Sequence, residues 1–192
     1  MRATQTGIAL AAAALLLASG CVSTPDATVA GVDSLSADSL PAHAVFVADP
    51  APLEARSSSR IDADLESEVY SLANRLREAA GAPVLVSRDD LKEVARGHAM
   101  DMAARTYFSH TSPEGHGPGE RARHIRFRAL GENLARIRHS NDPAPLAIRG
   151  WLDSPPHRRV LLDERGVNYR FTGIGAAVAP DGTIYVAQVF LK

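Results

Sequence analysis

The 192-residue chain has a single cysteine, Cys21, so no disulfide can form within it and its fold must be held by packing. It has two lysines, Lys92 and Lys192; arginine supplies the rest of its 21 basic residues. It has no excess of either charge: 22 acidic residues leave a formal net charge of −1, which speaks against a nucleic-acid partner. No apolar run reaches the roughly 20 residues that a spanning helix needs. Neither an H-E-x-x-H metal helix nor a G-x-S-x-G nucleophile elbow is present. The glycine cluster Gly115-His116-Gly117-Pro118-Gly119 lacks the spacing and the lysine of a phosphate loop. What remains, 45% hydrophobic and 22% charged, is the composition of one globular domain.

Residues 1–20 read as an export signal, with Arg2 followed by an apolar run from Gly7 to Ala18. Leu17-Ala18-Ser19-Gly20-Cys21 resembles a bacterial lipobox, which implies cleavage before Cys21 and a diacylglycerol on its sulfur. Two readings stand: a lipoprotein held to the membrane through Cys21, or an ordinary cleaved signal with an incidental cysteine. Only the first gives the lone cysteine a purpose. Val22-Ser23 lacks an inner-membrane retention Asp, which favours the outer membrane in a two-membrane bacterium. Residues 21–60, with Pro25, Pro41, Pro50, Pro52 and Ser57-Ser58-Ser59, read as the lipidated Cys and a flexible tether. Ala44-Val45-Phe46-Val47 is its one extended apolar piece, either packed on the domain or free.

Residues 61–192 carry the folded pattern. Ile61, Leu65, Val69, Leu72 and Leu76 predict a helix to Ala80, stopped by Gly81 and Pro83. Val84-Leu85-Val86 is an extended link, and Ser87 a candidate N-cap for a second helix to Arg105. That helix has a stripe of Leu91, Val94, Ala95, His98, Ala99 and Met102. A short helix follows at Glu120 to Arg126, then a strand within Leu130 to Ile137. Pro145 to Leu152 and a Ser154-capped segment to Leu162 are helical. Gly173 to Ala179 and Thr183 to Leu191 form a hairpin about Pro180-Asp181-Gly182. The fold class is α/β, an α-β-α sandwich with a small, mainly antiparallel sheet between helical layers.

Six segments of this domain belong together. They are Leu72 to Arg77, Ala95 to Met102, Ser109-His110, Gly131-Glu132-Asn133-Leu134, Trp151 to Arg158, and Gly173-Ile174-Gly175 with Tyr185 to Phe190. In order and spacing they resemble the CAP superfamily (cysteine-rich secretory proteins, antigen 5, pathogenesis-related proteins; SCP-like), in its disulfide-free bacterial branch. The resemblance spans about residues 65–191 and implies the same sandwich. It also implies a cleft with two histidines and two acidic residues that holds a divalent metal in some members. His110, Glu132 and His157 match three of that set. Ser154 stands at the position of the fourth, an acid in the eukaryotic pattern, and Val160 where the bacterial pattern tends to have Asn.

Two functions follow as expectations. The first is a binding module of the cell envelope, lipid-anchored at Cys21, whose cleft (His110, Glu132, His157, Asn133, Ser154) takes a lipid, glycan or protein ligand, with or without a divalent metal. The second is a metal-assisted, peptidase-like hydrolase with Glu132 as base and His110, Glu132 and His157 around a divalent ion such as Zn2+. The alternative to a metal is a wet polar cluster of the same side chains. His98, on an apolar stripe, reads as a core histidine. His116, among glycines, is solvent-exposed or swings to the cleft. Asn133 braces a turn or touches ligand, and Trp151 is core. The arginines of Arg121 to His139 form either a solvated face or a contact for anionic envelope material.

Overall fold

The computed structural model describes residues 35–36, 58–138 and 140–192. Residues 1–34, including the signal and Cys21, lie outside that range, as do Ala44–Val47 and His139. The elements run β1 (Leu35–Ser36), β2 (Arg60–Ile61), α1 (Ala63–Ala79), β3 (Val86–Ser87), α2 (Asp89–Arg105), α3 (Pro118–Arg121), β4 (Ala129–Arg138), α4 (Pro143–Asp153), α5 (Pro155–Leu161), β5 (Phe171–Val178) and β6 (Thr183–Leu191). The strands make one sheet in the order β1-β4-β6-β5-β2, with β3 parallel to one end of β5 and the other pairings antiparallel.

Local chemistry sets the boundaries. Ile61 was expected to open α1, but it pairs with Ala177, and Asp62 caps the helix by accepting from the Leu65 amide at 3.1 Å. Ser87 does not cap α2; it is drawn into β3 opposite Thr172, and Arg88 takes the cap position without a side-chain bond. The short third helix closes earlier than expected, at Arg121. Gly117 and Pro118 start it, because proline fits a first turn whose amides have no helical acceptor. The hairpin turn closes through Gly182, whose φ of 79° lies in the left-handed region that favours glycine.

Strand alternation divides the core. Ala135, Ile137, Ile174, Ala176, Ile184, Val186 and Phe190 pack under α1, α4 and α5 around Trp151. Leu130, Leu134, Ala177, Tyr185, Ala187, Val189 and Leu191 pack under α2. β6 is buried along its whole length, so the sheet is covered on both faces. Trp151 is fully buried and donates from Nε1 to the Leu134 carbonyl at 2.9 Å.

Two contacts lock the layers. Gly173 and Gly175 face α2 so closely that a β-carbon on either would stand under 3 Å from the helix backbone, at Leu91–Lys92 and at Ala95–Arg96. Around the β5 edge, buried Glu66 of α1 pairs with Arg96 of α2 at 2.6 Å and accepts from the Ala176 amide. On the opposite face Arg77 is fully buried. It donates to the carbonyls of Pro83 and Leu161 at 2.8 Å and Tyr169 at 3.2 Å, with Asp163 at 3.9 Å. One guanidinium thereby ties α1, the end of α5 and the approach to β5.

Gly175→Ala should therefore cost about 3 kcal/mol or more in urea unfolding, because the helix must move off the strand. Gly97→Ala, on the exposed side of α2 with nothing within 4 Å, should stabilise by about 0.5–1 kcal/mol. Equal effects of the two would contradict this seating of α2.

Candidate functional site

β4 sends consecutive side chains to opposite faces, so Glu132 points to the α2 side and Asn133 to the α4–α5 side. The Glu132 carboxylate is wholly buried. Its Oε1 accepts from His110 Nδ1 at 2.8 Å and its Oε2 from Arg121 Nη2 at 2.6 Å. Burial pushes this carboxyl up. The His110 hydrogen bond, the Arg121 charge and the neighbouring imidazoles outweigh it and hold the group below the usual carboxylate range. Glu132 is thus an anion, and His110 presents Nδ1–H to it.

Arg121 does more than balance that charge. Its Nη1 donates to the carbonyls of His110 and His116, both at 2.8 Å. The guanidinium closes the glycine-rich loop over the carboxylate, and its planar fork reaches three acceptors where an ammonium would be a point charge. His98 secures the same loop from below. It is 1% exposed on α2, and its Nε2 donates to the Ser109 carbonyl at 2.9 Å, which leaves Nδ1 as the acceptor nitrogen. Burial lowers its pKa to about 4.

His157 enters from α5. Its Nδ1 lies 2.6 Å from Ser154 Oγ. Ser154 is the cap residue of α5, but Pro155 and Pro156 remove the first two amides, so its hydroxyl turns to the ring instead. Asn133 Nδ2 donates to the His157 carbonyl at 3.1 Å, which braces α5 against β4. Burial, with the nearby His110, lowers the His157 pKa to about 4, so its ring is neutral. Three buried polar atoms here have no protein partner: His157 Nε2, Asn133 Oδ1 and Arg121 Nε.

The expected residues therefore gather in two groups, His110–Glu132, joined by Arg121, and Ser154–His157–Asn133. A divalent ion does not fit the donors as they stand. Both Glu132 oxygens are engaged, one by a guanidinium that would repel the ion, so the carboxylate is not available as a ligand; the Ser154 bond to His157 Nδ1 leaves Nε2 without a partner, and imidazole alone is an incomplete donor set. Among the described residues no three His, Cys, Asp or Glu side chains form a group that could hold a metal. The same hydrogen bonds and charge lower the proton affinity of Glu132 and so weaken it as a base. His98 is the core histidine the apolar stripe implied, and the side chain of His116 stays outside while its carbonyl serves Arg121. Arg121 itself was missed: counted with a run of arginines, it carries no motif, and only the fold brings it to Glu132.

The two depressed imidazoles fix a pH dependence. In the unfolded chain each takes up a proton near 6.5, whereas in the folded chain it does so only near 4. Between those values the unfolded chain binds more protons. Stability is therefore full above pH 6.5 and falls as the pH drops towards 4, by about 3 kcal/mol for each group over the whole window. Urea unfolding at pH 7.5 and pH 4.5 should show a loss of several kcal/mol. A flat profile would contradict neutral, buried rings at 98 and 157.

Comparisons with known proteins agree with this fold. Residues 70–190 match the model of the cysteine-rich secretory protein (CAP) family. The uncharacterized membrane protein YlbC of Bacillus subtilis (strain 168) is 32% identical over 135 residues, 69% of this chain and 36% of that protein. This chain thus spans little more than a third of that relative. An extracellular SCP-domain protein of Bacillus anthracis str. Ames superposes with a TM-score of 0.57 at 32% identity, over 68% of this chain and 41% of that one. An outer surface protein of Borrelia burgdorferi shares the fold with a TM-score of 0.61 at 21% identity, over 70% of this chain and 98% of that one. The family match across residues 70–190, together with the α-β-α layers shared with the solved SCP-domain structure, shows that this chain belongs to the CAP family.

Proposed function

We propose that this chain is an exported, lipid-tethered binding protein of the cell envelope, whose CAP domain offers the His110–Glu132–His157 cleft to a polar ligand without a metal ion. Export is supported by the extracellular Bacillus anthracis protein and by the signal-like residues 1–20. Membrane association is supported by the name of the Bacillus subtilis relative. No helix among the described residues is long and apolar enough to cross a membrane; the lipobox-like Leu17 to Cys21 makes Cys21 the point of attachment in this reading.

The observation that carries the reading is the saturation of Glu132 by His110 and Arg121. A hydrolase of the metal-assisted kind needs a carboxylate that binds the ion or takes a proton from water. Here both carboxylate oxygens are already committed to an imidazole and a guanidinium, which supports a role in orienting those two side chains. Those two side chains keep 18% and 13% exposure at the cleft, enough to meet a ligand. The unpartnered buried atoms, His157 Nε2 and Arg121 Nε among them, favour a ligand or ordered water with oxygens to share.

Zinc titrated calorimetrically into the full chain should give no stoichiometric binding, and peptide and ester substrates should show no zinc-dependent turnover. Tight one-to-one zinc binding to the unaltered protein would overturn the metal-free cleft. Arg121→Ala should cost about 3–5 kcal/mol by stranding a buried carboxylate. The double substitution Arg121→Met/Glu132→Gln should cost less than Arg121→Ala, because it removes both charges together. For the tether, Cys21→Ala should move the protein from the membrane fraction of expressing cells to the soluble one. Retention in membranes would refute attachment through Cys21.

A further inference from the structure

One end of the sheet gathers side chains that the cleft does not use. β1 pairs Leu35 with Leu130 and Ser36 with Ala129, directly beside Arg128. The Arg128 amide donates to the Lys192 carbonyl, and the Lys192 amide to Ala129. The Arg170 amide donates to Leu191, and the Val86 amide to Arg170. Arg128, Lys192, Arg170 and Val86 thus lie on four neighbouring segments at one end. With strands about 4.8 Å apart the row is about 15 Å wide. All four are exposed, as is Arg126 two residues before the row. Val84 and Val86, 52% and 54% exposed, are the exposed large apolar side chains of the described residues.

The charge here is uncommitted. Among the described residues, no carboxylate side chain forms an ion pair with Arg126, Arg128, Arg170 or Lys192. The acids on the adjoining start of α2 are already matched, Asp90 with Arg88 and Asp89 with Lys92. Glu120 is matched by Arg123. The chain also joins the sheet here. Leu35 is fourteen residues after Cys21, so whatever path those residues take, the sulfur stays within about 50 Å of this end.

We propose that this end of the sheet docks on an anionic phospholipid surface. Arg126, Arg128, Arg170 and Lys192 meet the headgroups, and Val84 and Val86 enter the interface. Cationic side chains around a small apolar tip are the composition of a surface that lies on a bilayer without crossing it. The docking rests on the reading of Cys21 as a membrane anchor: one weak contact near the surface becomes effective once a tether holds the domain there.

The test separates the two readings. The chain with Cys21→Ser, which carries no lipid, is sedimented with vesicles of phosphatidylglycerol and phosphatidylcholine and with vesicles of phosphatidylcholine alone. Binding is expected only to the anionic vesicles, and it should weaken as salt rises. Arg126→Gln/Arg128→Gln/Arg170→Gln should weaken it by about fivefold per cation removed. Arg60→Gln/Arg138→Gln/Arg149→Gln, with the same change in net charge at exposed sites, Arg60 and Arg138 being at the opposite end of the strands, should leave it within twofold. Val84→Ser/Val86→Ser should weaken it without changing its salt dependence. Absence of binding, equal loss in both arginine triples, or binding only to an anionic glycan in place of the vesicles would each overturn the proposal. Anionic binding that persists although Cys21→Ala leaves cell fractionation unchanged would refute the tether and keep the surface.

Discussion

The seating of α2 on two side-chain-free positions of β5 is the constraint on which the site depends. Gly173 and Gly175 let the helix backbone approach where any β-carbon would hold it away. Small residues on the helix, Ala95 and Ala99, complete the contact. That distance fixes how far His98 reaches, and His98 holds the Ser109 carbonyl. The next residue is His110. A helix lifted by one methyl group would carry the loop with it and draw His110 from Glu132. Backbone geometry at the centre of the sheet thus reaches the chemistry through one imidazole.

Two arginines do the corresponding work with charge. Arg77 collects three carbonyls from separate segments beneath the α4–α5 side, and Arg121 collects two carbonyls and a carboxylate above β4. Burial lowers the Arg77 pKa while Asp163 raises it, and the group remains a cation at neutral pH. Each is a charge taken out of water, tolerable because its donors meet oxygens arranged in its own plane. Arg77 secures the end of the helix that carries His157. Arg121 secures the loop that carries His110. In a chain without a disulfide, the two histidines are located by two guanidiniums, Arg77 fully buried and Arg121 at the cleft.

Much of this was legible in residue order, and the reasons for the gaps are physical. The stripe of α2 was readable in full because one face of that helix is buried against one sheet, and period alone reports that. α1 was less so: Leu72 and Leu76 fit the period but are only partly covered, while Glu66 and Arg77, charged and off the expected stripe, are fully packed. Their burial depends on partners at Arg96 and Asp163, far along the chain, and no local pattern encodes them. Ser87 looked like a cap because its chemistry suits one; the vacant edge of β5 claimed it instead. The cleft residues were named by resemblance, since His110, Glu132 and His157 are too widely spaced to declare themselves. Arg121 had no motif to carry it, and a charge run hid it.

Ser154 and Arg121 are best understood together. An acid at position 154 would put a second carboxylate beside a cleft that already buries Glu132. Two anions in a low-dielectric site need a cation of matching charge, and a divalent ion supplies it. With serine at 154 a single anion remains, and one guanidinium neutralises it without any ion from solution. The hydroxyl keeps the other task of that position, holding the His157 ring by Nδ1 at 2.6 Å. Arg121 also meets the carbonyl oxygens of His110 and His116, ligands of the kind a hard cation would draw from a loop. The loss of one acid and the presence of one arginine therefore form a single electrostatic arrangement. It keeps the histidines in place and balances the buried Glu132 charge from within the chain.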